Sequence, residues 1–290
     1  MDKNKFIKLF RYTITFSVVC IALILGVILW QTYMDTPWTR DGRIRADVTL
    51  IAPDVSGLVS EVYVKDNQYV YEGDKLFELD KVRFYERIKE LEAVVKLKEA
   101  NYLMKENEYK KRYKADNRVI SKENKDNAGY QFEIAKEELN EAKAKLDMAE
   151  LDLKRSTVFA AHSGWVSNLL LKKGDYLQRG ESRMAVINEN SFWVYGYFEE
   201  NKISHINIGD KARMNPLGTD FEIQGHVQSI ASGITDRDNV LGKQLLANIN
   251  PSFTWVRLAQ RIPVRIAIDS IPENFILRAG ITCTIEIEND

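Results

Sequence analysis

The strongest constraint on this chain is a repeat that has been cut in two. Residues 52–80 and 159–187 align at a constant offset of 107, sharing Ser56/Ser163, Gly57/Gly164, Val59/Val166, Ser60/Ser167, Lys65/Lys172, Tyr69/Tyr176 and Gly73/Gly180. The apolar pairs Val62/Leu169, Val64/Leu171 and Val70/Leu177 fall in the same frame, with no gap. Identity at a fixed spacing marks a repeated structural unit. Two copies are too few for a solenoid, and glycines set among alternating apolar residues read as short strands joined by tight turns. The two segments are therefore expected to belong to one small β-domain, split open by the residues between them.

Those intervening residues read as helix. No proline occurs between Pro53 and Pro216, and residues 82–155 are rich in Glu, Lys, Ala and Leu, the composition of exposed helix. Ala128, Phe132, Ala135, Leu139, Ala142, Leu146, Ala149 and Leu153 keep a strict 4,3 spacing, which is a heptad seam. Small residues alternating with large ones let two antiparallel helices approach closely, each large side chain facing a small one. The first arm carries Ile88, Leu91, Val95, Tyr102 and Tyr109 on one seam, interrupted by Lys98 and Lys105. Lysine stems can lie along apolar surface while their charges reach water. Residues 81–158 are thus predicted to form an antiparallel coiled-coil hairpin, with arms of roughly 40–47 Å. Such a hairpin buries one stripe only, so it should be marginal alone and steadied by its base or by neighbouring copies.

The N-terminus carries a membrane signal. Lys3, Lys5, Lys8 and Arg11 precede residues 12–34, which contain no charged side chain. At about 1.5 Å per residue this stretch crosses a bilayer core of about 30 Å. Basic residues before it and Asp35 after it place the N-terminus in the cytoplasm and everything beyond Met34 outside. The stretch exceeds a signal-peptide core and no small-x-small site follows near Trp30, so an uncleaved anchor is expected. A net charge of -1 over 290 residues offers nothing to a polyanion, and nucleic acid is not an expected partner. Cys20 in the span and Cys283 near the far end cannot pair, and Cys283 reads as a small core hydrophobe on a strand.

Beyond the second copy the pattern is β-rich. Trp193, Tyr195 and Tyr197 alternate with Val194, Gly196 and Phe198, turns are marked at Gly209, Gly218 and Gly225, and residues 264–268 and 281–287 read as later strands. A small β-barrel or sandwich is expected there. Residues 42–52 read as a first strand after a short linker, and residues 232–250 as a polar, mobile loop.

Ala52-Pro53-Asp54-Val55-Ser56-Gly57-Leu58-Val59, residues 69–80, the hairpin, and Ala160-Ala161-His162-Ser163-Gly164-Trp165-Val166 resemble the HlyD-type periplasmic adaptors, or membrane fusion proteins. The resemblance runs from the N-terminal anchor to Ile287. Asn190-Ser191-Phe192-Trp193-Val194, Asn215-Pro216-Leu217-Gly218 and residues 255–266 are most similar to adaptor subunits of p-hydroxybenzoic (aromatic carboxylic) acid efflux pumps. The implied fold is mainly β with a long α-helical hairpin. Its parts are a basic cytoplasmic tail (1–11), a transmembrane helix (12–34), a linker and first strand (35–51), a split biotinyl/lipoyl-like barrel-sandwich domain (52–80 and 159–187), the hairpin (81–158) and a β-barrel domain (188–290). The implied partners are an inner-membrane transporter, an outer-membrane channel of the TolC type, and sister copies in a ring. The implied location is the inner membrane, single-pass, with the bulk in the periplasm. A further membrane-proximal domain is not expected, because the last barrel strand lies close to the end of the chain.

Asp80-Lys81 falls where the first half of a true lipoyl domain ends at its modified lysine. Here a helix follows, so Lys81 is expected to solvate its first turn, and no cofactor is expected. His162, His205 and His226 lack the spacing of a zinc site, Asp236-Arg237-Asp238 lacks that of a calcium loop, and no glycine loop cradles phosphate. The chain does not read as an enzyme. Relatives dock to the channel through a tip pattern Arg-x3-Leu-x6-Ser. Counting back from Ser121 gives Lys114 and Lys110, so only the serine matches. Ser121 also fits the N-cap of the second helix, and Arg118, Ser121 and Lys122 are the candidate partner-binding residues at the hairpin tip. Other readings are an adaptor for drug or polypeptide export, a lipoyl- or biotin-like carrier modified on Lys81, and a non-conducting structural envelope protein.

Overall fold

A computed structural model of the protein describes residues 12–27, 36–116, 120–234, 239–241, 247–249, 259–273 and 275–288. Helix α1 (residues 12–27) precedes β1 (Trp38–Arg45), β2 (Val48–Ile51), β3 (Gly57–Val62), β4 (Tyr69–Val70) and β5 (Lys75–Leu79). Helices α2 (Val82–Lys114) and α3 (Lys122–Arg155) come next, then β6 (Thr157–Phe159), β7 (Gly164–Ser167), β8 (Tyr176–Leu177) and β9 (Met184–Asn188). The rest is β10 (Trp193–Glu199), α4 (Glu200–Ile203), β11 (Lys211–Pro216), β12 (Ile223–Ile230), β13 (Asn239–Leu241), β14 (Ala247–Ile249), β15 (Arg261–Ser270) and β16 (Thr282–Glu288). The chain divides into two compact units, Val48–Glu189 and Met1–Asp47 with Asn190–Asp290.

In the first of these units, each copy of the repeat supplies the edges the other lacks. Gly57 pairs with Leu177 and Leu58 with Tyr176, while Gly164 pairs with Val70 and Trp165 with Tyr69. The backbone bonds follow the same local two-fold. Val59 N–H donates to the Asp175 carbonyl (2.8 Å) as Val166 N–H does to that of Gln68 (2.9 Å). The shared serines and glycines have structural reasons. Ser163 Oγ accepts from Glu72 N–H (3.1 Å) and Ser56 Oγ from Arg179 N–H (2.9 Å). Gly73 and Gly180 turn at φ 85° and 79°, a region open to glycine without strain. Two four-stranded sheets result, β6-β5-β3-β8 and β2-β9-β7-β4, closed over a core that includes Val59, Val70, Phe77, Leu79, Val166 and Val186.

The hairpin leaves this domain between β5 and β6. All eight seam residues of α3 are buried or half-buried, and Leu91 is the fully buried residue of α2. The two lysines that interrupt the α2 seam behave differently. Lys98 Nζ reaches across to Glu138 (2.8 Å), whereas Lys105 pairs along its own helix with Glu108 (3.4 Å). At the root, Arg155 and Arg179 both pair with Asp54, and the buried Ser156 donates its hydroxyl to the Leu153 carbonyl (2.6 Å). Of these contacts, the Arg155–Asp54 pair ties the last turn of α3 to the split domain.

The second unit holds a closed six-stranded barrel in the order β1-β10-β15-β12-β11-β16, filled by residues such as Ile44, Val194, Phe198, Met214, Ile266 and Ile285. Closure removes the exposed edges that a small open sheet would carry. Cys283 is 2% exposed in this core, as expected of a packed hydrophobe.

Two expectations need revision, and a third is met only in part. The single first strand expected over 42–52 is two strands, and strand structure already begins at Trp38 inside the expected linker. Ile44 is buried in the barrel core and Ile51 in the split-domain core, so the break at Ala46-Asp47 lets consecutive strands serve different cores. Asp47 N–H donates to Ser191 Oγ (2.8 Å), closing off the barrel end of that break. The segment 232–250, expected as a loop, contains the antiparallel pair β13–β14, with Asn239 opposite Ile249. A backbone ladder needs no apolar alternation, so periodicity did not reveal it; the other residues of 235–250 lie outside the described ones. Finally, among the described residues no helix is long and apolar enough to cross a membrane. Of the expected span 12–34, α1 covers 12–27 with exposed apolar side chains, and 28–34 lie outside the described residues.

Candidate functional site

The far end of the hairpin gathers charge and aromatic surface. The last turn of α2 carries Lys111, Arg112 and Lys114, cations that suit the negative end of a helix dipole. Arg112 pairs with Glu108 (2.6 Å) and Lys110 with Glu106 (2.9 Å), so part of this charge is held along the helix. Across the turn, Lys125 Nζ donates to the Ala115 carbonyl (2.6 Å), one of the orphan acceptors at the end of α2. Ser121 is extended at φ −61° and ψ 152° and its Oγ accepts from Asn124 N–H (3.3 Å), which makes it the N-cap of α3. Lys122, the first residue of α3, is exposed, and Arg118 lies outside the described residues.

Beneath the turn sits an aromatic cluster. The Tyr109 and Phe132 rings stack at 5.6 Å with 3° between their planes, Tyr113 lies 5.6 Å from Tyr109, and Tyr102 lies 5.5 Å from Phe132. An open cleft of about 850 Å³ beside them is lined by Tyr113, Lys122, Lys125, Tyr130 and Glu133. Tyr113 and Tyr130 are 66% and 68% exposed. Rigid aromatic faces ringed by charge suit contact with a protein surface. Among the described residues, no three His, Cys, Asp or Glu side chains come together to hold a metal.

Two family models match this chain. Residues 191–288 match the one described as the AAEA-like beta-barrel domain, and residues 82–154 the one described as the pHBA AAEA subunit, alpha-helical hairpin domain. A curated relative, the uncharacterized protein YdhJ of Escherichia coli (strain K12), is 38% identical over 281 residues, covering 97% of this chain and 99% of the relative. The chain belongs to the HlyD-type periplasmic adaptor family. Within it, the adaptor is similar to the pHBA subunit. Solved structures share its fold at low identity. The membrane fusion protein Spr0693 of Streptococcus pneumoniae R6 matches with TM-score 0.63 at 16% identity, covering 86% of this chain and 98% of that one. MacA of Actinobacillus actinomycetemcomitans matches with TM-score 0.67 at 18% identity, covering 87% and 79%.

In the adaptor, Lys81 sits in helical conformation at the start of α2 and pairs with Glu78 (3.1 Å). It is therefore not presented on a β-turn. His162 and His226 are engaged with Thr49 (2.7 Å) and Asp269 (2.8 Å), on separate units. Asp236-Arg237-Asp238 lies outside the described residues. Sequence reasoning singled out Ser121 and its flanking cations but missed the tyrosines. Tyr109 was visible only as a seam residue, and Tyr113 and Tyr130 fall off both seams, where period alone attaches no meaning to them.

Proposed function

We propose that this adaptor is anchored in the inner membrane by residues 12–34 and joins an inner-membrane transporter to an outer-membrane channel of the TolC type in an efflux pump for aromatic carboxylic acids. The observation that carries the reading is the hairpin, rooted in the split domain through Arg155 and Asp54 and bearing Ser121, Lys122 and the tyrosine cleft at its far end. The uncharged run 12–34 behind four basic residues supports the anchor. Exposed apolar side chains also recur along both helices, Leu97 with Met104 on α2 and Ile134 with Met148 on α3. Apolar stripes of this kind support lateral packing of copies into a closed ring. The similarity to the pHBA subunit supports the substrate class.

Photocrosslinkers or cysteines placed at Ser121 and Lys122 in cells are expected to capture an outer-membrane channel. Deleting residues 100–140 is expected to abolish export and raise intracellular aromatic carboxylate. Export that survives the deletion would sink the bridging reading, and export loss confined to drugs or polypeptides would replace the substrate class alone.

A further inference from the structure

The barrel unit contains a second cleft, of about 720 Å³, between the start of β1, the end of β10 and α4. Within it lies Lys202, which is 7% exposed. Lysines are almost never buried unless paired. Its Nζ donates to the Trp38 carbonyl (3.3 Å) and stands 4.7 Å from the Trp38 ring centroid. Neither contact brings a formal negative charge, and no carboxylate pairs with Lys202 among the described residues. An ammonium has three donors, and the Trp38 carbonyl takes one of them. Of the two acids lining the cleft, Asp41 pairs with Arg261 (2.7 Å) and Arg43 (3.8 Å), while Glu199, at the exposed rim, forms no ion pair among the described residues, with Lys202 or otherwise. Arg40 adds a further cation, 5.5 Å from the same indole ring. A buried charge answered only by neutral groups is costly, and an arriving anion would offset that cost through charge-assisted hydrogen bonds.

The chain itself limits where this cleft can be. Trp38 is four residues beyond Met34, the last residue of the uncharged run. Four residues reach at most about 14 Å when fully extended. If residues 12–34 form the anchor, the cleft stays within that reach of the leaflet where the anchor emerges. Indole and phenol rings such as Trp38 and Tyr197 suit the headgroup region.

We propose that this cleft binds the phosphate of a phospholipid headgroup, with Lys202 as its principal donor and Arg40 at its side. The proposal rests on the anchor reading above. It gives the barrel a lipid contact of its own beside the anchor.

The test uses the full chain in nanodiscs of phosphatidylethanolamine and phosphatidylglycerol, with Glu199, at the cleft rim, replaced by benzoylphenylalanine. Intact mass after irradiation reads a covalent lipid adduct, and co-migration with the nanodisc reads the anchor separately. The adduct is expected to fall roughly tenfold in Lys202→Met, the loss of one charge-assisted contact, and to persist in Lys202→Arg. The thermal midpoint of Lys202→Met should not drop, because the change removes an unpaired buried charge. An adduct unchanged in Lys202→Met on chains that remain with the nanodisc overturns the site. Loss of the adduct on adding free p-hydroxybenzoate also overturns it, in favour of a small carboxylate. Chains that leave the nanodisc refute the anchor and the lipid site together.

Discussion

Gly57 and Gly164 hold the same place in the repeat, yet their surroundings predict different responses to one added methyl. A Cβ on Gly164 would lie 1.9 Å from the Ile187 carbonyl oxygen and 2.9 Å from its carbon. Those are backbone atoms of β9, held in the ladder by the pairs Gly164–Asn188 and Trp165–Ile187. Ordinary contact begins near 3.4 Å, so the strand would have to retreat by about 1.5 Å. Overpacking of about 1–3 kcal/mol, with roughly two weakened backbone bonds at about 1 kcal/mol each, puts Gly164→Ala near 3–5 kcal/mol. On Gly57 the nearest atoms are the Leu79 side chain, Cβ at 3.3 Å and Cδ1 at 3.4 Å. A shift of a few tenths of an ångström relieves that contact, and the loss should stay within about 1 kcal/mol. Amide hydrogen exchange of the full chain, read on peptides from β7 and β9, is the assay. Protection should fall by about 100-fold or more in Gly164→Ala and by less than about fivefold in Gly57→Ala. Equal losses, or the reverse order, would falsify the claim that the repeat is symmetric in pairing but not in packing.

Two other outcomes follow from the same geometry. Ser121→Ala should raise exchange in the first turn of α3 by an amount equivalent to about 1 kcal/mol, while Ser121→Asp should restore the cap; unchanged exchange in Ser121→Ala would remove its role there. Burial pushes the Cys283 thiol up from 9.0 to about 12, so the unfolded chain ionises first. The stabilisation is complete below about pH 9 and is lost as pH rises towards about 12. Unfolding midpoints measured across that window should therefore fall more steeply than those of Cys283→Ala, and parallel slopes would contradict the buried thiol.

Much of the architecture was legible because it rests on local periodicity. The 4,3 spacing from Ala128 to Leu153 implies a helical stripe wherever the helix is placed, and in the fold those residues face α2. The tip was legible in part. Ser121 reads as a cap from its residue type and position, but the aromatic cleft depends on Phe132 of α3 stacking on Tyr109 of α2, a contact between residues far apart in sequence. Lys98 looked like a fault in the seam, and only the facing Glu138 gives it a partner.

By itself, the sequence determined that two matching β-segments flank a helical hairpin, because identity at offset 107 and heptad spacing are properties of residue order alone. It also carried the uncharged run at residues 12–34. Only the tertiary structure decided that each half of the repeat pairs with the other, that β1 and β2 part at Ala46-Asp47 for different cores, and that Lys202 is buried against Trp38. Pairing partners, core membership and the burial of a charge depend on which distant segments approach, and that choice is made by packing and hydrogen-bond closure over the whole unit.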